Sequence, residues 1–171
     1  MLNGPCTPGK HDESRGVMFT VAGKPAPQGS KSAFATKTGR VVMVEQAGKS
    51  LHNWRDSVIL AAQNAKSMVD FDELGPLTGP LHVTVDFYLP MPASRPKADR
   101  EKRLLWRPQT PDIDKLTRSV LDGLTQSMLI RDDGQICSLL IQKMESTMWT
   151  GANILVYEKN YEATRAPTLF K

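Results

Sequence analysis

The chain is poor in the residues that build metal fingers and disulfide frameworks. It carries two cysteines, Cys6 and Cys137, each too isolated from another Cys or His to suggest a zinc site or a disulfide. Its three histidines, His11, His52 and His82, are scattered and belong to no motif. No apolar run approaches the roughly 18 residues of a membrane span. The opening MLNGPCTPGKHDESRG has prolines and glycines but no apolar core of the kind a secretory signal requires. There is no internal repeat. These absences lead to the expectation of a cytoplasmic, membrane-free protein. With 171 residues, 40% of them apolar, the chain has the size and composition of one domain with a sizeable core. The expected boundaries are a disordered leader over residues 1–16, a folded domain over 17–160 and a C-terminal tail over 161–171. Cys137, in a strand-like run, reads as a small core residue.

What the chain does have is unevenly distributed charge. Its formal net charge is +4. Lys24, Lys31, Lys37 and Arg40 lie in a stretch without acids. Arg95, Lys97, Arg100, Lys102, Arg103 and Arg107 are answered locally only by Asp99 and Glu101. Each stretch sums to +4, so the remainder sums to −4. Two basic segments bracketing an acidic one suit a polyanion lying across cationic walls; solvated basic loops are the plainer alternative.

Periodicity gives the elements. VMFTVAG (Val17 to Gly23) reads as a strand, and VVMVE as another. The intervening KPAPQGSKSAFATKTGR is expected to lack regular structure because of its prolines and glycines. Leu51, Trp54, Val58, Ala61, Ala62 and Ala65 recur at helical spacing. LHVTVDFYL alternates strictly and predicts a half-buried strand. ADREKRLLW suits a short helical turn. From about Lys115 a second helix presents Leu116, Val120, Leu121, Leu124 and Met128. QICSLLIQKMES and ANILVYEKN read as two strands joined as a hairpin through Thr147 to Gly151. The expected class is α/β (α+β): a mixed sheet with helices packed on it.

Within that frame PDIDKLTRSVLDGLTQSMLIRDDGQI concentrates carboxylates. Asp112 and Asp114 face the same side if the chain enters extended, and Pro111 disfavours a helical Thr110, so the helix starts near Asp114. Helix capping explains one aspartate, and Asp-Gly in IRDDGQI is itself a turn signal. A strand returning beside the entry would bring Asp133 back toward Asp112. Two carboxylates about 4 Å apart repel by roughly 1 kcal/mol in water and about 4 at an effective dielectric near 20, so three together call for a cation. Magnesium, a hard ion held by a few carboxylates and substrate phosphates, supplies it. Arg118, four residues after Asp114, lies on the same helix face, placed either to neutralise a phosphate or to pair with Asp114 or Asp122.

These residues resemble the RusA family of Holliday junction resolvases, whose pattern runs Asp-x-Asp-Asn-Leu-x-Lys, a Leu-Asp-x-Leu helix, then Asp-Asp-x-Gln-Ile. The matching positions are Asp112, Asp114, Leu116, Asp122, Leu124, Asp132, Asp133, Gln135 and Ile136. GKPAPQGSKSAF and the RPK at Arg95 to Lys97 resemble the family's basic loops. The resemblance implies a homodimeric, magnesium-dependent endonuclease that resolves four-way DNA junctions by paired nicks in recombination and repair, with manganese as a substitute ion. Carried over, Asp112, Asp114 and Asp133 are the metal ligands. Lys24, Lys31, Arg95, Lys97 and Arg103 are the expected DNA phosphate contacts, with a solvated surface position as the alternative for each, and Trp106 either stacks on an unpaired base or, the expectation favoured here, anchors its loop. Two positions depart: Lys115 stands where the family has asparagine, and Arg118 where it has lysine. A planar guanidinium is not a compact ammonium. If arginine cannot do the lysine's work, the chain is a weakly active or inactive junction- or single-strand-binding protein.

Overall fold

The computed structural model describes residues 15–29, 48–68 and 75–160, together with the backbone of 31–35 and 41–45. Residues 1–14 of the expected leader, the tail, Cys6, His11, Lys37 and Arg40 lie outside the described residues, as does the side chain of Lys31.

Among the described residues, seven strands and three helices follow one another: β1 (Gly16–Ala22), β2 (Lys31–Ala35), β3 (Val41–Glu45), α1 (Lys49–Met68), β4 (Leu81–Pro90), α2 (Lys97–Glu101), β5 (Leu104–Trp106), α3 (Ile113–Gln126), β6 (Ile136–Ser146) and β7 (Gly151–Glu158). A 3-10 turn, Asp133–Gln135, leads into β6. The main sheet has the order β1-β7-β4-β6-β5, and β2 and β3 form a separate antiparallel pair. Among the described strands, β4 and β6 run parallel and the other pairs antiparallel. The mixed sheet with helices on it is thus as expected. Among the described residues no helix is long and apolar enough to cross a membrane.

The central strand is β4, whose alternation places Leu81, Val83, Val85, Phe87 and Leu89 in the core. Ala152, Ile154 and Val156 of β7 join them, and α1 and α3 cover that face through Leu51, Trp54, Val58, Leu116, Val120 and Leu124. The two helices touch closely: the Trp54 indole donates to Ser119 Oγ at 3.2 Å. A methyl on Gly123 would come within 2.7 Å of Val58 Cγ1.

Four expectations are corrected. Residues 31–35 form a strand because pairing with β3 satisfies a backbone that its prolines and glycines had read as irregular. β6 and β7 are not a hairpin: β4 lies between them, parallel to one and antiparallel to the other. Met128 leaves the stripe, since the chain takes a left-handed φ of 59° there and exposes the side chain. Cys137 is exposed rather than buried, because β6 lies near the sheet's edge. β5 covers only Met144 to Ser146 of β6, so the β6 edge from Cys137 to Lys143 is left open, with Leu139 and Leu140 45% and 50% exposed.

Candidate acidic site and its cationic rim

Asp112 is the N-cap of α3 in extended conformation, and Asp114 lies in the first turn, so the segment enters extended and turns helical as the proline required. Asp112 makes no side-chain cap; its Oδ2 accepts instead from Lys115 Nζ at 2.9 Å. That hydrogen bond and the ammonium charge hold its carboxyl below the usual aspartate range; desolvation opposes them, and the more distant charge of Lys143 adds to them. The incoming strap is held from β6: Lys143 Nζ donates to the carbonyls of Gln109 at 2.8 Å and Pro111 at 2.7 Å. Burial, followed by the neighbouring charge of Arg107, pulls the Lys143 ammonium below the usual lysine range, while Asp112 opposes that shift. Sequence reasoning missed Lys143, because its role depends on β6 lying beside residues 109–111.

The second aspartate pair divides its labour. Asp132 Oδ1 accepts from Gly134 N at 2.7 Å, and Gln135 Oε1 accepts from the backbone of Asp132 at 3.1 Å, a reciprocal capping box. The Gln135 amide also donates to the carbonyls of Leu77 and Gly79, pinning the turn to the start of β4. Asp132 therefore builds the turn, and Asp133 is exposed beside it.

Within one chain these two aspartate groups stand apart. Lys143, which holds Pro111, is opposite Phe87, whereas Ile136, three residues after Asp133, is opposite Leu81. Seven residues of strand separate those levels, about 23 Å at 3.3 Å per residue. The strand after the turn does lie beside the strap, but it reaches that level only at Lys143. Among the described residues, no group of three His, Cys, Asp or Glu could hold a metal ion. The expected return of Asp133 to Asp112 is thus not made inside one chain.

Arg118 is exposed, and among the described residues it has no ion pair with Asp114 or Asp122. Asp122 is taken by Arg55 of α1 at 3.3 Å. Of the expected DNA contacts, Lys24 lines the cavity beside Asp112, while Lys97 at the start of α2 and Arg103 before β5 are exposed at the same end of the sheet. Arg95 is different. Its Nε donates to Glu145 Oε1 at 2.5 Å, and the carboxylate it meets is fully buried. Arg107 approaches the other oxygen at 3.5 Å, and Arg95 also reaches Gln109 at 3.3 Å. A buried carboxylate requires such partners, so Arg95 ties α2's loop to β6. Trp106 is 66% exposed, not the loop anchor expected of it, because β5 is an edge strand.

Carboxylate oxygens exposed at the entry to a helix, with lysines and arginines nearby, are compatible with a phosphate polyanion held through a cation. The family profile described as Endodeoxyribonuclease RusA matches residues 22–157. The chain belongs to this endodeoxyribonuclease family, as its two aspartate motifs had suggested, and is a nuclease of the hydrolase class by descent. It is similar as well to the Uncharacterized protein YqaN of Bacillus subtilis (strain 168), 30% identical over 135 residues, covering 76% of this chain and 88% of that protein.

Proposed function

We propose that the protein is a homodimeric, magnesium-dependent endonuclease of four-way and related branched DNA, acting in recombination and repair, with each active site shared between two copies. The observation that carries this reading is the separation of Asp112 and Asp114 from Asp133 along α3, together with an open apolar edge whose midpoint lies between them.

Two β6 strands meeting antiparallel across a two-fold axis at Leu140 would pair Lys143 with the partner's Cys137. The faces of both sheets then match, the exposed Leu139 and Leu140 are covered, and an edge prone to unwanted pairing is closed. Asp112 and Asp114 then approach the partner's Asp133, four residues before that Cys137. Two such sites per dimer suit a two-fold-symmetric junction that needs two cuts.

The donors fit a hard divalent ion: three carboxylates, exposed and acceptor-only, with Asp112 biased toward ionisation by Lys115. Asp112, Asp114 and the partner's Asp133 would hold it. When bound, the magnesium ion supplies positive charge to the phosphodiester oxygens and makes water a better nucleophile. Lys115 must release Asp112 to the ion, and its ammonium is then available for a flanking phosphate. Lys143 keeps the strap at a fixed height, so that both aspartates present to the same point. Arg118, one turn inward and exposed, is placed to meet charge developing on the phosphate. Lys24, Lys97 and Arg103 contact the DNA arms.

A labelled four-way junction with Mg²⁺ tests this. Paired nicks are expected, abolished by Asp112→Asn, Asp114→Asn or Asp133→Asn with junction affinity retained, and Arg118→Lys is expected to keep cleavage. Junction binding without nicks under any metal would replace the enzyme with a binding protein.

A further inference from the structure

A cavity of about 560 Å³ opens against Asp112, between the Lys24–Pro27 loop and the 107–111 strap. Part of its lining is apolar: Ala26 is 4% exposed and Leu89 1%, and Pro25 and Pro111 line it with them. The cationic Lys24, Arg107 and Lys115 line it too.

The walls are fastened rather than collapsed. Gln28 N donates to the Lys115 carbonyl at 2.9 Å, tying the loop to α3. On the far side Arg107 donates to the carbonyls of Thr110 at 2.9 Å and Pro90 at 3.3 Å. A cavity held open from both sides is pre-formed for a ligand.

Its chemistry narrows the occupant. A bare anion would gain nothing from the proline, alanine and leucine surfaces, and a metal ion would find one carboxylate. A duplex is too wide, since pockets of roughly 300–1,000 Å³ hold one small molecule. A single nucleotide fits each part: a flat base with apolar faces against proline rings, and phosphates on either side of it at the lysines.

We propose that this cavity receives one unstacked base of the DNA strand, next to the phosphate that Asp112 helps to cut; the inference rests on the nuclease reading above. Extracting a base from a duplex carries an unstacking cost that is least for a nucleotide already unpaired. The pocket would thereby favour the centre of a branch over an intact arm, and would discriminate among bases at that one position. Structure selectivity and sequence preference would then have a common origin.

The test uses four-way junctions carrying 2-aminopurine at successive positions around the branch point, bound to the full chain in Ca²⁺, a condition chosen to allow binding without turnover. Ser50, exposed at the cavity's lining near the start of α1, is replaced by Trp to fill the opening, with circular dichroism checking the fold. The expected result is a fluorescence rise at one position beside the cut, lost in Ser50→Trp. A bound junction in which no position brightens, or a rise that persists in Ser50→Trp, overturns the proposal, as does failure to bind junctions. The nuclease reading is scored separately by nicking in Mg²⁺: cuts without brightening sink the pocket alone, whereas brightening without cuts sinks the cleavage reading and, with it, the placement of the base beside a cut phosphate.

Discussion

Arg95→Ala separates a structural arginine from a DNA-binding one. The Glu145 side chain is fully buried, and Arg95 is its nearest cation, with Arg107 a weaker second at 3.5 Å. Removing one member of a buried pair leaves an uncompensated charge and usually costs about 3–5 kcal/mol. Arg107 remains to offset part of that, so about 2–3 kcal/mol of stability should be lost. For a domain of this size each kcal/mol lowers the melting temperature by about 2–4 °C, giving a fall of about 4–12 °C. The assay is a thermal melt of wild type, Arg95→Ala and Lys97→Ala, with junction affinity measured across a salt series. Lys97 is exposed at the start of α2, and each phosphate contact contributes about 0.9 to the slope of log affinity against log salt. Lys97→Ala should therefore melt normally and lose about 0.9 of slope. Arg95→Ala should melt early and, at a temperature where it is folded, keep its slope. An Arg95→Ala protein as stable as wild type with a reduced salt slope would refute the reasoning.

Three further outcomes follow from particular contacts. Gly123→Ala should destabilise the protein by about 1–3 kcal/mol in urea titration, since the new methyl meets Val58 at 2.7 Å; an unchanged midpoint would mean the two helices are not so closely set. Burial first, then the charge of Lys159, lowers the pKa of His82 below its ordinary 6.5. The unfolded state therefore binds more protons in the window between the two values, so this contribution to stability should decline as pH falls through the ordinary histidine range. His82→Gln should flatten that part of the pH–stability curve, which unfolding at a series of pH values will measure. Leu140→Arg, on the open β6 edge, should convert dimer to monomer in sedimentation and abolish cleavage without lowering the melting temperature of the isolated chain; a dimer that persists would move the interface elsewhere.

How much of this was readable beforehand follows from what each signal depends on. The β4 alternation and the stripe of Leu116, Val120 and Leu124 are local periodicities, visible without a partner. The strand character of 31–35 comes from pairing with β3, so loop-forming residues concealed it. β6 and β7 are neighbours in sequence but not in space, because β4 takes the position between them. Cys137 reads as a core residue, yet it, Leu139 and Leu140 are exposed on an open edge. For the aspartates, residue types and spacing suggest Asp112, Asp114 and Asp133 as one group, but the spacing cannot say whether they meet within one chain or across two. Lys143 and the Arg95–Glu145 tie carry no sequence signature, since each acts through contacts to residues distant in the chain, and the motif position Gln135 gives no hint of its bonds to Leu77 and Gly79.

The central claim is that each active site draws Asp112 and Asp114 from one copy and Asp133 from another. Subunit mixing tests it most directly. Asp114→Asn and Asp133→Asn proteins, each inactive alone, are co-expressed with different tags and the mixed dimer is purified. In a shared arrangement one of its two sites carries both substitutions and the other carries none, so the mixed dimer should nick one strand of a four-way junction. If all three aspartates of a site come from the same chain, both sites remain damaged, and a mixed dimer as inactive as its parents would contradict the account.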